Sequence, residues 1–165
     1  MNKIVVLCLS VLLLSACNNT GSGDDENTTE TSKATQQDLS ISNGNIVLNA
    51  GDDMKFNLTE IRVKEGETIR LTLHHTGKAP KTAMGHNFVL LKAGVSLDGF
   101  VTKALEAKGN DYIPKDEADI IVHTKLIGGG ESDSIEFVAP PKGSYPFLCS
   151  FPGHAMSMNG TLIVE

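Results

Sequence analysis

The stretch from Cys149 to Met158 constrains the fold of this chain more than any other. It places a thiol (Cys149), an imidazole (His154) and two thioethers (Met156 and Met158) within ten residues. Soft sulfur ligands beside an imidazole select copper over magnesium, calcium or manganese. The Pro152-Gly153 pair is a turn signal, and a turn there would let Cys149 and His154 face one point. If this loop binds copper, the chain must fold so that the loop meets a further ligand.

That further ligand is predicted to be His86, which lies 63 residues before Cys149 at the start of a predicted strand. Two histidines and one cysteine with a long axial methionine form the blue-copper arrangement. The alternative is structural, because a lone cysteine commonly behaves as a small buried hydrophobe and a nearby methionine fills the core. The composition of the loop leaves Met158 and Met156 open as the thioether ligand.

Most of the chain beyond residue 44 has the pattern of short β-strands. Apolar and polar residues alternate over 61–64, 69–74 and 134–139, as expected for half-buried strands. Turn signals such as Pro140-Pro141-Lys142-Gly143 separate these segments. Further strands or short apolar pieces are predicted at 45–48, 54–56, 88–91, 120–123, 145–149 and 161–164. Seven or eight short strands predict an all-β fold, a Greek-key sandwich or barrel of about eight strands.

One helix is predicted, at residues 96–108. Leu97, Val101, Ala104 and Leu105 recur at helical spacing. Ser96 suits the N-cap, and Gly109 suits the C-terminal stop. The helix is expected to pack on the outside of the barrel, with no chemical role.

The N-terminal segment predicts export and lipid attachment. Residues 1–16 combine a positive start with a short apolar run, as in a signal peptide. Leu14-Ser15-Ala16-Cys17 resembles the bacterial lipobox, so Cys17 is the predicted lipidation site, and acyl chains would anchor the protein to a membrane. The polar residues of 17–37 predict a flexible tether, followed by a folded domain over 38–165. The net charge of −6 argues against a nucleic-acid partner.

Separate motifs resemble the azurin family of blue-copper cupredoxins, in one order from about Asn45 to Glu165. The matching segments are Gly51-Asp-Asp-Met-Lys-Phe-Asn57, Met84-Gly-His-Asn-Phe-Val-Leu90, His123-Thr-Lys-Leu-Ile-Gly128 and Cys149-Ser-Phe-Pro-Gly-His154. Several motifs in register carry this resemblance, whereas Cys-x4-His alone would be weak. The resemblance implies the cupredoxin version of the Greek-key fold.

The resemblance also implies one copper ion per chain and the residues around it. His86, Cys149 and His154 would be the strong ligands. The family's axial thioether lies nine residues after the cysteine, which selects Met158 over Met156. The backbone carbonyl of Gly85 would be the opposite, weak axial ligand. Around them, the backbone N–H groups of Asn87 and Phe151 would point at the sulfur, and the Asn87 side chain would tie its loop to the one around Ser150.

A surface patch around His154 is where the family would meet its partners. The corresponding positions here are Met54, Ala79, Met84, Phe151, Pro152 and Met156. The expected partners are redox proteins such as c-type cytochromes, reductases or terminal oxidases. The expected location is the cell envelope of a Gram-negative-type bacterium, lipid-anchored in the periplasm or on the outer membrane.

These features predict a one-electron transfer protein with a single type 1 copper site. The alternative is a copper-binding module that delivers or stores the metal, which would use a more open site. An enzyme is not expected, because a thiol hydrolase needs an activated thiol, an orienting residue and an oxyanion hole. A copper oxidoreductase would need a second metal, and the remaining histidines (His74, His75 and His123) are scattered along the sequence.

Overall fold

The computed structural model describes the backbone of residues 41–165 and the side chains of residues 43–165. The predicted signal peptide, the lipidation site Cys17, the tether and the predicted start of the domain at residue 38 lie outside the described residues. No helix between residues 41 and 165 combines the length and apolar character needed to cross a membrane.

The described residues form nine strands, two α-helices and one 3-10 turn. The strands are β1 (Ile41–Ser42), β2 (Asn45–Ala50), β3 (Glu60–Val63), β4 (Thr68–His75), β5 (Val89–Leu91), β6 (Ile120–His123), β7 (Ser132–Val138), β8 (Gly143–Leu148) and β9 (Asn159–Val164). The helices are α1 (Lys81–Met84) and α2 (Leu97–Glu106), and the 3-10 turn is Lys108–Asn110.

The strands build two sheets. One sheet has the order β1-β2-β4-β7, and the other has the order β3-β9-β8-β5-β6. The pairs β2–β4 and β3–β9 are parallel, and the other pairs are antiparallel. Strands that are neighbours in a sheet are therefore often distant in sequence, as in a Greek key. The predicted all-β fold class is confirmed.

Buried and accessible residues alternate strictly along β4, and this alternation determines which side chains face the core. Ile69, Leu71, Leu73 and His75 are buried, whereas the residues between them are exposed or half-buried. Because successive strand residues point to opposite faces, His75 turns inward and His74 turns outward. The main core lies between the two sheets and includes Cys149 and Met158, so the predicted metal-binding loop is anchored in the core.

Helix α2 lies outside the second sheet, as expected, and Leu97, Val101 and Ala104 of the predicted stripe pack against a second apolar cluster. Ser96 caps it by accepting a hydrogen bond from the backbone N–H of Gly99. Phe100 and Ala104 are buried in this cluster, and Leu105 is 48% exposed. The inclusion of Leu105 in the buried stripe was wrong, because Leu105 lies at the edge of the stripe that Phe100 and Ala104 define on the helix.

Two local predictions differ from the structure. Residues 54–56 were expected as a strand piece, but only Phe56 pairs, in an isolated bridge with Ala50. Residues 81–84 form the single-turn helix α1, which was not predicted from the sequence, and the N–H groups of Ala83 and Met84 donate to the Pro80 carbonyl. One helical turn is too short to display an apolar repeat, so tertiary contacts decide it.

Candidate metal centre

Strand pairing brings the predicted ligands to one end of the second sheet. His86 precedes β5 and pairs with Ile127 in an isolated bridge. Cys149 immediately follows β8, and β5 and β8 are antiparallel neighbours with Val89 opposite Leu148. The residue before one strand and the residue after its antiparallel neighbour lie at the same sheet end. The 63-residue separation of His86 and Cys149 in sequence is thereby closed.

Three donor atoms meet at this end. The sulfur of Cys149 lies 4.0 Å from Nδ1 of His86 and 3.6 Å from Nδ1 of His154. All three donors lie within 4.8 Å of one another. All three residues are buried: His86 and Cys149 are 0% exposed, and His154 is 3% exposed. The partner patch was expected around His154, but this side chain itself is almost fully covered.

The loop that carries Cys149 and His154 is closed by its own backbone. The N–H of Cys149 donates to the carbonyl of Met158 (2.9 Å), and the N–H of Met158 donates to the carbonyl of His154 (2.8 Å). Gly153 has φ of +82°, which glycine tolerates without strain. The Pro152-Gly153 turn therefore allows Cys149 and His154 to face each other, and Met158 points into the core with 0% exposure.

A backbone contact orients the His86 ring. Its Nε2 lies 2.9 Å from the carbonyl oxygen of Gly51. A ring nitrogen that faces a carbonyl must carry the proton, so Nδ1 of the neutral ring keeps its lone pair and faces Cys149. The role of Gly51 could not be predicted from the sequence, because a carbonyl is present at every residue and leaves no signal in residue type.

His75 stacks on His86, although the two residues lie in different segments of the sequence. Their ring centroids are 4.3 Å apart at an interplanar angle of 27°. Nδ1 of His75 accepts a hydrogen bond from the N–H of Gly77, and Nε2 faces the carbonyl of Met84 at 2.8 Å. Both ring nitrogens are thereby occupied, and His75 has none free to bind a metal ion.

The protein environment sets the proton affinity of the donors. Burial raises the pKa of the Cys149 thiol to about 11, and hydrogen bonds from the backbone N–H groups of Asn87 and Phe151 partly oppose this shift. Burial, with smaller repulsion from His86 and His75, lowers the pKa of His154 to about 4. Burial also lowers the pKa of His86, whereas the Gly51 carbonyl raises it. Without a metal ion, the three donors are therefore neutral at neutral pH.

Asn87 ties together the two segments that carry the predicted ligands His86 and Cys149. Its side-chain NH2 donates to the hydroxyl of Ser150 (2.8 Å), and its side-chain oxygen accepts from the backbone N–H of Ser150 (2.8 Å). Both residues are buried. Asn87 thus fixes the distance between the segment of His86 and the segment of Cys149.

Gly85 brings its carbonyl close to the centre, 3.9 Å from the Cys149 sulfur. A Cβ atom at Gly85 would lie 2.6 Å from the carbonyl oxygen of Lys81 and 3.0 Å from the Leu126 side chain. The lack of a side chain therefore permits the close packing of this segment.

The residues of the expected partner patch are all at least partly accessible. Met54 and Met156 are 37% and 87% exposed. The other four are half-buried: Ala79, Met84, Phe151 and Pro152.

The donor set fits a copper ion. A thiolate sulfur lies about 2.3 Å and an imidazole nitrogen about 2.0–2.1 Å from an ion that they share, so the two atoms stand no more than about 4.4 Å apart. The two sulfur–nitrogen separations satisfy this limit. One thiolate with two imidazoles and a buried thioether nearby suits copper better than harder metals.

Comparison with known proteins identifies the family. Residues 42–165 match the model of copper-binding proteins of the plastocyanin/azurin family. The chain belongs to this family. Its matched region spans the whole of the core and the three-donor cluster, so the predicted resemblance to azurin is confirmed.

Members of the family with similar sequences include azurin from Pseudomonas aeruginosa, 42% identical over 124 residues that cover 72% of this chain and 82% of that azurin. Outer membrane protein H.8 from Neisseria gonorrhoeae is 44% identical over 115 residues, or 67% of this chain. The match covers 62% of H.8, less than two thirds of its length.

Among solved structures, dithionite-reduced auracyanin from Roseiflexus castenholzii has the same fold. The TM-score is 0.68 at 32% identity, and the alignment covers 76% of this chain and 99% of auracyanin. Copper is accordingly the cofactor of this family member, and the His86–Cys149–His154 cluster is consistent with one copper site.

Proposed function

We propose that this protein is a one-electron carrier with a single type 1 copper site, in which His86, Cys149 and His154 are the strong ligands. The observation that carries the proposal is a buried cysteine sulfur 4.0 Å and 3.6 Å from the Nδ1 atoms of two buried histidines. Copper supplies the redox chemistry by cycling between Cu+ and Cu2+. Two imidazoles, one thiolate and a weak axial thioether are the ligands of blue-copper electron-transfer sites.

We assign the weak axial positions to the thioether of Met158 and the carbonyl of Gly85. Met158 is fully buried in the same core cluster as Cys149. Met156 is 87% exposed, so its side chain lies on the outside of the loop. The Gly85 carbonyl oxygen is 3.9 Å from the sulfur.

The residues around the ligands would hold the site rigid while its charge changes. The Asn87–Ser150 hydrogen bonds join the two segments, and the Gly51 carbonyl fixes the ring of His86. A pre-organised site needs little rearrangement during electron transfer. N–H groups that donate to the Cys149 sulfur stabilise its negative charge, and such hydrogen bonds tune the reduction potential.

Burial of the donors favours electron transfer over copper delivery, storage or catalysis. An electron can reach a buried centre, whereas a metal ion that is exchanged or a substrate that is converted needs an open position. The three donors have almost no exposed surface. We therefore do not propose an enzymatic activity.

Electron exchange would take place through the surface above His154. We propose that Met54, Ala79, Met84, Phe151, Pro152 and Met156 form a docking patch for redox proteins such as c-type cytochromes, reductases or terminal oxidases. Exposed apolar residues that are grouped on a surface often mark a partner site, and Phe151 lies against the ring of His154, with centroids 4.7 Å apart.

Visible absorption of the copper-loaded protein tests the ligand assignment. The protein should be intensely blue, because absorption of this kind arises from charge transfer between thiolate sulfur and Cu2+. Cys149→Ser should be colourless, and His74→Gln should stay blue because His74 faces out of β4 toward Ser132. A blue Cys149→Ser protein would refute the assignment.

We further propose that the protein is lipid-anchored at the envelope of a Gram-negative-type bacterium. The lipobox-like sequence that ends at Cys17 and the similarity to an outer membrane protein support this location. Cells fed a labelled fatty acid should label the full chain and its Cys8→Ser variant, but not Cys17→Ser. Equal labelling of the two variants would contradict the proposed anchor.

A further inference from the structure

Two consecutive residues near the metal centre have strained backbones. Asp111 and Tyr112 have φ values of +51° and +61°, in the left-handed region that non-glycine residues rarely adopt. A bulky aromatic residue there is a clear outlier. Such strain persists only where the surrounding structure enforces it, and it is concentrated at functional sites.

The strained turn is held from several sides. The carboxylate of Asp111 is paired with Nζ of Lys81 at 2.8 Å, so the turn is tied to helix α1 and the segment that leads to His86. The N–H of Tyr112 donates to the carbonyl of Ala107 at 3.1 Å. The next residue, Ile113, is buried in the apolar cluster beneath α2. These contacts hold Tyr112 in one orientation.

In this orientation Tyr112 packs against the metal-binding loop. Its ring meets Phe151 edge-on, with centroids 5.3 Å apart and an interplanar angle of 71°. Phe151 in turn lies 4.7 Å from the ring of His154. Edge-to-face aromatic pairs at this separation are favourable. The half-buried Phe151 ring therefore contacts both Tyr112 and His154.

Phe151 also contributes its backbone to the centre, because its N–H donates to the Cys149 sulfur. A shift of the Phe151 ring therefore changes both the cover over His154 and the hydrogen bond to the sulfur. Asn87 supplies the other N–H to this sulfur from the opposite segment, and its side chain is fixed by Ser150.

We propose that Tyr112 is a positioning residue of the metal centre, which acts through Phe151 to aim the Phe151 N–H at the sulfur and to pack the Phe151 ring on His154. The strain at Asp111 and Tyr112 is the conformational cost of presenting the Tyr112 ring to Phe151. The expected effects on the copper-loaded protein rest on the proposed function. The first test uses the metal-free protein and does not depend on that function.

The first test compares amide proton shifts in the metal-free full chain by NMR. In Tyr112→Leu the amide proton of Phe151 should move upfield, because its hydrogen bond to sulfur weakens, while that of Asn87 should stay in place. Tyr112→Phe retains the ring edge and should leave both signals unchanged. An unmoved Phe151 signal in Tyr112→Leu, or equal shifts at Phe151 and Asn87, would overturn the proposal.

Lys81→Gln provides a second route to the same answer if Tyr112→Leu does not fold. It removes the ion pair with Asp111 but keeps the tyrosine, and it should shift the Phe151 amide in the same direction by a smaller amount. No shift in this variant would contradict the proposed role of the strained turn.

With copper bound, Tyr112→Leu should lower the reduction potential and Tyr112→Phe should not, because loss of an N–H to the thiolate favours Cu2+. Equal potentials in both variants would count against the proposal. If the unmodified chain fails to become blue, the proposed function fails, and the amide comparison in metal-free protein still decides whether Tyr112 positions Phe151.

Discussion

At the scale of single residues, Met156 and Met158 differ in what their side chains contact. They are separated by one residue in the same loop. Met158 is fully buried in the core with Cys149, and Met156 is 87% exposed. The hydrogen bond between the Met158 N–H and the His154 carbonyl fixes the end of the loop that turns Met158 inward.

We expect glutamine substitutions at the two methionines to separate their roles. Met158→Gln should keep the blue colour and lower the reduction potential, because an amide oxygen is a harder ligand that favours Cu2+ over Cu+. Met156→Gln should leave the spectrum and the potential nearly unchanged. Cyclic voltammetry and visible absorption measure both, and a larger spectral change in Met156→Gln would show that the axial assignment is wrong.

The contacts of His86 cannot be read from residue types alone. The histidine itself could be found, because its residue type is a metal ligand. Its two neighbours are the Gly51 carbonyl, directly after β2, and the ring of His75 at the end of β4. No local pattern connects these segments with residue 86, so only the folded chain reveals which nitrogen of His86 remains free.

At the scale of elements, strands β8 and β9 support the loop between them, residues 149–158, which carries Cys149, His154 and Met158 and is called the ligand loop below. Phe147 and Gly160 are opposite each other in this pair. A Cβ atom at Gly160 would lie 2.3 Å from the Phe147 ring and 2.4 Å from the carbonyl oxygen of Thr59. Only glycine at this position therefore lets the β8–β9 hairpin pack closely against the Phe147 ring and against Thr59, which directly precedes β3.

Gly160→Ala should accordingly destabilise the protein by about 1–3 kcal/mol, the usual cost of overpacking a close-packed site. Gly109→Ala is the matched control, because a Cβ atom there has no neighbour within 4 Å. Urea unfolding of the metal-free variants measures the difference. Equal midpoints for the two variants would mean that the β8–β9 hairpin has room that the structure does not indicate.

Helix α2 and the ligand loop share the second apolar cluster. Ala155 of the loop packs against this cluster together with Leu97 and Val101 of α2. The sequence assigned α2 an outer packing role only. The structure adds that the helix supports the outer side of the loop between His154 and Met158.

At the scale of the whole molecule, burial of two histidines makes the metal-free protein sensitive to acid. The pKa of His154 falls to about 4 and that of His86 is also lowered in the folded state, whereas unfolded histidine titrates near pH 6.5. As pH falls below about 6.5, the unfolded chain therefore binds more protons than the folded one. Protons thus shift the equilibrium toward unfolding.

We predict that the free energy of unfolding of the metal-free protein decreases as the pH is lowered from 7.5 to 5. Urea titrations at several pH values measure this slope. The double variant His86→Gln/His154→Gln should have a flatter slope, because two groups with lowered pKa values are removed. The same slope in both proteins would assign the acid sensitivity to other groups.

The sequence by itself determined the all-β class and the outer helix, and it named His86, Cys149 and His154 as candidate donors. Alternation of apolar residues and the residue types in the Cys149–Met158 loop are local properties, and they can be read without coordinates. The resemblance to the azurin family added the copper and the choice of Met158 over Met156.

Only the tertiary structure decided how distant segments meet at the centre. Pairing of β5 with β8 closes the gap between His86 and Cys149. The Gly51 carbonyl, the His75 ring and the Tyr112–Phe151 contact reach the site from three other segments. Such contacts depend on backbone groups and on packing across the fold. Residue type and spacing along one segment carry no information about them, and the physical environment of the donors is set after the chain has folded.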